Sequence, residues 1–348
     1  MIKRCFITIL AVVLALALPH KAAASGHDGE DFSPKEMVME HLSDSYIWEI
    51  TTIKGKEIAI PLPVIVRSST GWHCFLSDKI CHGGTYYGLY LAKEGKYKNK
   101  IVEDVGGEQK RPLDISLTKT ACGLIISLLI VMILFLVTAR AYRKKQDVDY
   151  CPKGLAGLME WLIDTIMTGV IKPCVGENYR KFAPYLLTAF FFIFVSNLLG
   201  LVPFFPGGAN ITGNITITFF MAFATMLAVN LFGSKHYYKE IFWPDVPIFL
   251  KAIPLMPIIE IIGIFTKPFA LMMRLFANIF AGHSIILSIC SIIFVTAHMG
   301  VAMSGSMTAV SVFFMIFMNF LELLVAFIQA YVFTMLSAVF IGLAQEGH

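Results

Sequence analysis

Glu260, Lys267, Arg274 and His283 interrupt one long apolar stretch of this 348-residue sequence, and Glu322 interrupts the next. An ionisable side chain inside a bilayer costs several kcal/mol unless it meets a partner or a water-filled path, so position alone makes each a candidate for binding or moving charge. At 100° per residue, Glu260, Lys267, Arg274 and Asn278 fall within about 40° of one another along a helix, while His283 lies about 180° from Arg274. Asn319, Glu322 and Gln329 share a face of the following helix. Two such helices run antiparallel. With Arg274 level with Gln329, a rise of 1.5 Å per residue puts His283 about 13 Å and Glu322 about 10 Å to the outer side, and Glu260 about 21 Å toward the cytoplasm. On this reckoning His283 and Glu322 meet, and polar groups stand on both sides of a single fixed cation, the outline of two offset half-paths.

Each residue also has a plainer reading. Intramembrane Asn and Gln commonly tie helices together, which suits Asn278, Gln329, Asn197 and Asn230. Lys267 is expected to snorkel to the cytoplasmic interface, and His298 to sit close to the outer turn. Snorkelling has little force for Arg274, which lies about midway along an apolar helix. No H-E-x-x-H occurs, and His283 and His298 are about four turns apart, which argues against a metalloenzyme. No G-x-x-x-x-G-K-[ST] phosphate loop occurs, so nucleotide chemistry is not expected of this chain. Cys74 and Cys81, flanked by His73 and His82, permit a disulfide or a metal site; the disulfide is the expected outcome in an exported segment.

The elements that must position these residues are membrane helices. Apolar residues make up 57% of the chain and charged ones only 15%, which excludes a water-soluble globule and a disordered chain. A net charge of +4 with scattered basic residues suggests no nucleic-acid surface. Lys3 and Arg4, the 14-residue apolar run Cys5 to Leu18, and Ala22-Ala23-Ala24 read as a signal peptide over residues 1–24. An uncleaved helix is the alternative, but the run falls short of the ~20 residues a span needs. Residues 25–118 read as a small β-containing extracytoplasmic domain, with a strand-like run Ile58 to Val66 and an aromatic one Tyr86 to Tyr90.

Residues 119–348 read as a membrane domain with five crossings. Ala121 to Ala139 carries no charge and is followed by Arg140, Arg143, Lys144 and Lys145, which puts its C-terminal end in the cytoplasm. Residues 151–181 read as an amphipathic helix on the cytoplasmic surface, with Leu155, Leu158, Met159, Leu162, Ile163 and Ile166 opposed to Glu160, Asp164 and Lys172; a solvated connector is the alternative. Residues 182–234 contain no Asp, Glu, Lys, Arg or His, and the break from Pro206 to Asn214 divides them into two spans. Two further helices, 257–297 and about 308–343, exceed an upright span and require tilt. The C-terminus then lies in the cytoplasm.

The run Arg274-Leu275-Phe276-Ala277-Asn278-Ile279-Phe280-Ala281-Gly282-His283, with Lys267-Pro268 upstream, resembles the signature of subunit a of F-type ATP synthases. Leu321 to Phe333 resembles the last helix of that family, and Asn210 to Thr216 its outer loop; the resemblance covers about residues 120–345. It implies an all-α polytopic fold whose two tilted helices curve around a rotating ring of c subunits. It also implies peripheral-stalk b subunits as partners and a catalytic head reached through other subunits; no cofactor is expected, and the signal peptide suggests a bacterial inner membrane with the N-terminal domain in the periplasm. Arg274 matches the stator arginine, and His283 with Glu322 the outer half-channel pair, here with histidine first and acid second. Asn278 and Gln329 match polar residues near that arginine, and Glu260 a position toward the cytoplasmic outlet. The 25–118 domain is longer than the family's usual outer N-terminus. The rival reading is a secondary transporter or ion channel acting alone, with Arg274 binding an anion.

Overall fold

The structure is a computed structural model, and it describes residues 38–39, 43–53, 56–81, 84–92, 95, 97–105, 108–144, 154–202, 207–242, 255–296 and 300–345. The 1–24 segment and His298 lie outside the described residues, as do His82 and Lys145. Two compact units share the chain: Met1–Ile126, Leu199–Ile211 and His283–Phe320 form the first, and Ser127–Leu198, Thr212–Gly282 and Leu321–His348 the second.

In the first unit the N-terminal region is a set of small antiparallel sheets. β1 (Ile47–Ile53) pairs with β2 (Lys56–Pro61); β3 (Pro63–Ser68) lies between β4 (Gly71–Leu76) and β8 (Leu113–Asp114); β6 (Ile101–Val105) lies between β5 (Leu89–Leu91) and β7 (Glu108–Lys110). A short helix, α1 (Asp78–Cys81), follows β4. Tyr46, Val64, Val66, Phe75, Ile80, Leu89 and Ile101 close a small core. The apolar run Ile58 to Val66 is two strands rather than one. Both backbone groups of Leu62 turn away to Ser77, with Leu62 N–H donating to Ser77 Oγ and Ser77 N–H to Leu62 O, each at 3.0 Å.

Cys74 and Cys81 are free thiols, not a disulfide. Alternation along β4 turns Phe75 into the core and Cys74 out to an exposed position, whereas Cys81 packs against the core from α1. Burial pushes the Cys81 thiol up to about 11. No cluster of three metal-ligating side chains occurs among the described residues.

The β region is fastened to the first membrane helix, α2 (Lys119–Lys144). Thr120 donates to Asp44 Oδ1 from both its backbone N–H (3.0 Å) and its hydroxyl (2.8 Å), and Lys119 N–H donates to Ser45 O at 2.8 Å. These bonds use up donors that a helix N-terminus leaves unsatisfied. Gly123 admits the loop that follows α5: a Cβ there would lie 2.7 Å from the Ala209 Cβ.

The remaining helices are α3 (Leu155–Ile166), the short α4 (Lys172–Val175), α5 (Tyr179–Leu201), α6 (Ile215–Leu231), α7 (Lys235–Phe242), α8 (Leu255–Thr296) and α9 (Val301–Gln345). Four stretches, Lys119–Arg143, Leu155–Leu201, Ile258–Thr296 and Met303–Gln345, are long and apolar enough to cross a membrane, and α6 adds a shorter apolar helix. The chain is thus a mostly helical, polytopic membrane protein. α6 is started by Asn214, whose side chain accepts from Thr216 N–H at 3.0 Å. With 42 and 45 residues, α8 and α9 run to about 63 and 67 Å, twice the hydrocarbon thickness of ~30 Å.

Two helix readings need correction. α9 starts at Val301 rather than near residue 308: Gly300, at φ +97°, stands directly before it, and Ser304 N–H already donates to Gly300 O at 2.9 Å. Residues 155–201 run on almost without a break through a π-helical turn at Met167–Ile171 and a 3-10 turn at Gly176–Asn178. The face they bury is Met159, Leu162 and Ile166, while Leu155 and Leu158 stand exposed beside Trp161. In the second unit, close packing joins α4 to α9, where a Cβ on Gly342 would lie 1.9 Å from Cys174 O. A polar thread links three helices: Tyr185 Oη to Thr225 Oγ1 at 2.8 Å, and Thr225 Oγ1 to Ser337 Oγ at 3.3 Å.

Candidate functional site

Helix α8 has an apolar side and a side that carries Arg274. Leu271, Met272, Leu275 and Ile279 are buried. Arg274 and Asn278, one turn apart, are exposed among Ala270, Ala277 and Ala281, which are exposed as well. No hydrogen bond or ion pair engages Arg274 among the described residues. Small neighbours leave its guanidinium open to approach, and a planar group with five donors suits a carboxylate presented from outside the chain.

Asn278 looks both ways. Its Nδ2 donates to Gln329 Oε1 at 2.7 Å, tying α8 to α9 within the second unit. Gln329 is 2% exposed, and its Nε2 meets no acceptor among the described residues. Asn319 instead bonds back to its own helix, donating to Met315 O at 2.9 Å.

Glu322 is 6% exposed, and space for its carboxylate comes from a glycine that a search for polar residues passes over. A Cβ built on Gly282 would lie 3.1 Å from Glu322 Oε1 and 3.3 Å from its Cδ, tighter than side chains normally pack. In the first unit, His283 is half-buried, and a Cβ on Gly200 would lie 3.5 Å from its Nε2. Glycine beside an ionisable side chain is the available signal: Gly282 directly precedes His283.

Toward the start of α8, Lys267 Nζ lies 3.4 Å from Glu260 Oε1, both side chains being about two-fifths exposed (44% and 40%). Lys267 thus does more than snorkel. Two turns separate it from Glu260 on the same stripe, and its long side chain closes that gap. Asn197, read as a packing residue, is 3% exposed and engaged at both ends of its amide: Thr212 Oγ1 donates to its Oδ1 at 2.7 Å and its Nδ2 donates to Ala326 O at 3.4 Å. The Asn230 side chain bonds within its own helix, Nδ2 donating to Met226 O at 2.8 Å.

Comparison with known proteins adds an independent line. The family described as ATP synthase A chain matches residues 124–342, and a domain of unknown function (DUF8433) matches residues 37–115. The chain is 46% identical over 240 residues to ATP synthase subunit a 2 of Chlorobaculum tepidum, covering 66% of this chain and 64% of that one. It is 43% identical over 246 residues to ATP synthase subunit a of Chloroherpeton thalassium, covering 69% and 68%. Thus the chain spans about two thirds of the length of these relatives. ATP synthase subunit a of Anaeromyxobacter sp. is 32% identical over 342 residues, 94% of this chain and 75% of that one, so that match takes in most of the N-terminal region too.

Proposed function

We propose that this chain, which belongs to the ATP synthase A chain family, is the proton-channel stator of the membrane sector, with two offset half-channels on either side of Arg274. The observation that carries the reading is Arg274 itself: an exposed guanidinium on an apolar helix, engaged by no described residue. A counter-charge brought by another molecule suits it. A ring of c subunits, each bringing one membrane-buried carboxylate past α8, supplies it. Close to Arg274 the ionised carboxylate is favoured, so each ring site gives up its proton as it arrives. The same fixed cation repels a proton that would cross directly, and protons travel with the ring instead. Each elementary charge crossing supplies about 2.3 kcal/mol per 100 mV, and that free energy drives rotation.

His283 and Glu322 serve the outer half-channel. Glu260, with Lys267, marks the cytoplasmic outlet, and Asn278 and Gln329 order the ground beside Arg274. Peripheral-stalk b subunits hold the chain still, and the catalytic head acts through other subunits; this chain makes no ATP itself. Residues 1–24 direct export, residues 25–118 form a periplasmic domain, and residues 119–348 lie in a bacterial inner membrane with the C-terminus in the cytoplasm.

The test is ATP-driven proton pumping, with ATP hydrolysis alongside, in inverted vesicles carrying Arg274→Ala in the intact complex. Pumping should vanish while the complex still assembles. Normal pumping would overturn the assignment and leave a transporter acting alone as the better reading.

A further inference from the structure

The sheet of β4, β3 and β8 is apolar on both faces. Its inner face, with Val64, Val66 and Phe75, closes the core. On the outer face the register sets Leu76 beside Pro63, Cys74 beside Ile65, and Trp72 and Leu113 on either side of Arg67. Ile115 continues that row, its N–H donating to Ile65 O at 3.0 Å. Trp72, Leu76, Leu113 and Ile115 are each more than half exposed, at 59%, 51%, 57% and 57%. An antiparallel sheet with one face in water alternates apolar and polar residues, and this one does not. Such a surface marks an interaction site.

What covers it follows from its attachment. Ile115 stands only four residues before Lys119, the first residue of α2, so it lies within about 13 Å of that helix even along an extended chain. Leu117 N–H donates to Pro63 O at 3.2 Å, and the bonds of Asp44 and Ser45 to Thr120 and Lys119 fix the region to the first turn of α2. That turn is where the apolar span begins, so the domain cannot leave the bilayer surface. The composition of the face matches an interface: one tryptophan with its ring toward the outside, aliphatic side chains around it, and Arg67 with its guanidinium 5.9 Å from the Trp72 ring. Tryptophan collects at headgroup level, and an arginine beside it meets lipid phosphate.

We propose that the outer face of the β4–β3–β8 sheet docks on the leaflet at the N-terminal end of α2, Trp72 and Leu113 entering the headgroup layer and Arg67 binding lipid phosphate. The inference rests on α2 spanning the membrane and not on the half-channel reading, so either can fail without the other. Docked in this way, the 37–115 region acts as a foot that holds the outer end of α2 at fixed depth.

The test is quenching of tryptophan emission by lipids brominated on the acyl chain near the headgroup. The full chain in its complex is reconstituted into phosphatidylcholine–phosphatidylglycerol vesicles, with and without the brominated lipid, as wild type and as Trp72→Phe. The substitution falls on an exposed residue, so the fold is kept, and the difference between the two proteins isolates Trp72. Its emission should be blue-shifted and lose about half its intensity to brominated lipid. Water-like, unquenched emission would overturn the proposal by showing a bare face. Blue-shifted emission that brominated lipid leaves untouched would overturn it equally, by showing a face covered by protein. Arg67→Gln should reduce the quenching in vesicles containing phosphatidylglycerol, and an unchanged value would remove the phosphate contact from the proposal.

Discussion

Asn278 and Gln329 share one hydrogen bond, yet removing its two ends should have unequal consequences. Gln329 is 2% exposed, its Oε1 accepts from Asn278 Nδ2 at 2.7 Å, and its Nε2 is already unsatisfied among the described residues. Asn278→Leu leaves Oε1 stranded as well, and a stranded buried acceptor costs about 1–3 kcal/mol. Hydrogen bonds between membrane helices average nearer 0.6 kcal/mol, because the unfolded chain in lipid also finds partners. A loss of about 1 kcal/mol is the reasonable centre of these two ranges. Gln329→Leu, of similar volume, removes both polar atoms and frees Asn278 to face whatever lies outside α8, so it should cost close to nothing or stabilise. The double variant should match Gln329→Leu rather than the sum of the singles, since Asn278 then has nothing buried to satisfy. Unfolding of the purified chain in mixed micelles by titrated SDS measures all three. Equal losses in the two single variants, or a larger loss for Gln329→Leu, would refute the view that Gln329 is the buried and costly end.

Two further outcomes follow from the same structure. Gly282→Ala puts a methyl group 3.1 Å from Glu322 Oε1, so on the proposed function coupled pumping should slow several-fold while assembly persists; an unchanged rate would show that the carboxylate needs no such space. At Cys81 burial holds the thiol protonated up to about 11, so its thiolate fraction, and with it the rate of iodoacetamide labelling, should climb about tenfold per pH unit across the range below that value. A rate that levels off near pH 9, or recovery of Cys81 in a disulfide with Cys74, would contradict the packing described.

Charge patterning made the helices legible, because uncharged runs flanked by Lys and Arg have few physical alternatives. α8 begins and ends within two residues of its expected bounds. Where structure and expectation part, the deciding contact is remote in sequence or the pattern is ambiguous. Nothing in Ile58 to Val66 says that Leu62 will bond to Ser77, 15 residues on. In residues 155–166 apolar side chains occur on more than one side, so composition could not say that Met159 and Leu162 face inward while Leu155 and Leu158 do not. Gly300 reads as the start of a broad break, but the chain is helical again from Val301, and Gly305 simply continues that helix.

The candidate site divides in the same way. Angles along a helix placed Glu260, Lys267, Arg274 and Asn278 on one stripe, and the stripe is there; what angles could not say is which members have partners. Lys267 closes on Glu260 at 3.4 Å and Asn278 on Gln329 at 2.7 Å, so both act as structural polar residues that answer their own needs. Arg274 stands between them without a counterpart among the described residues, on a face lined with alanine. An unpaired cation in apolar surroundings costs several kcal/mol. Lysine seven residues away and asparagine four residues away show that this helix can satisfy its polar side chains from within the chain. The plainer reading of Asn278 and the functional one therefore hold together: it ties α8 to α9 and, by doing so, fixes the turn from which Arg274 projects.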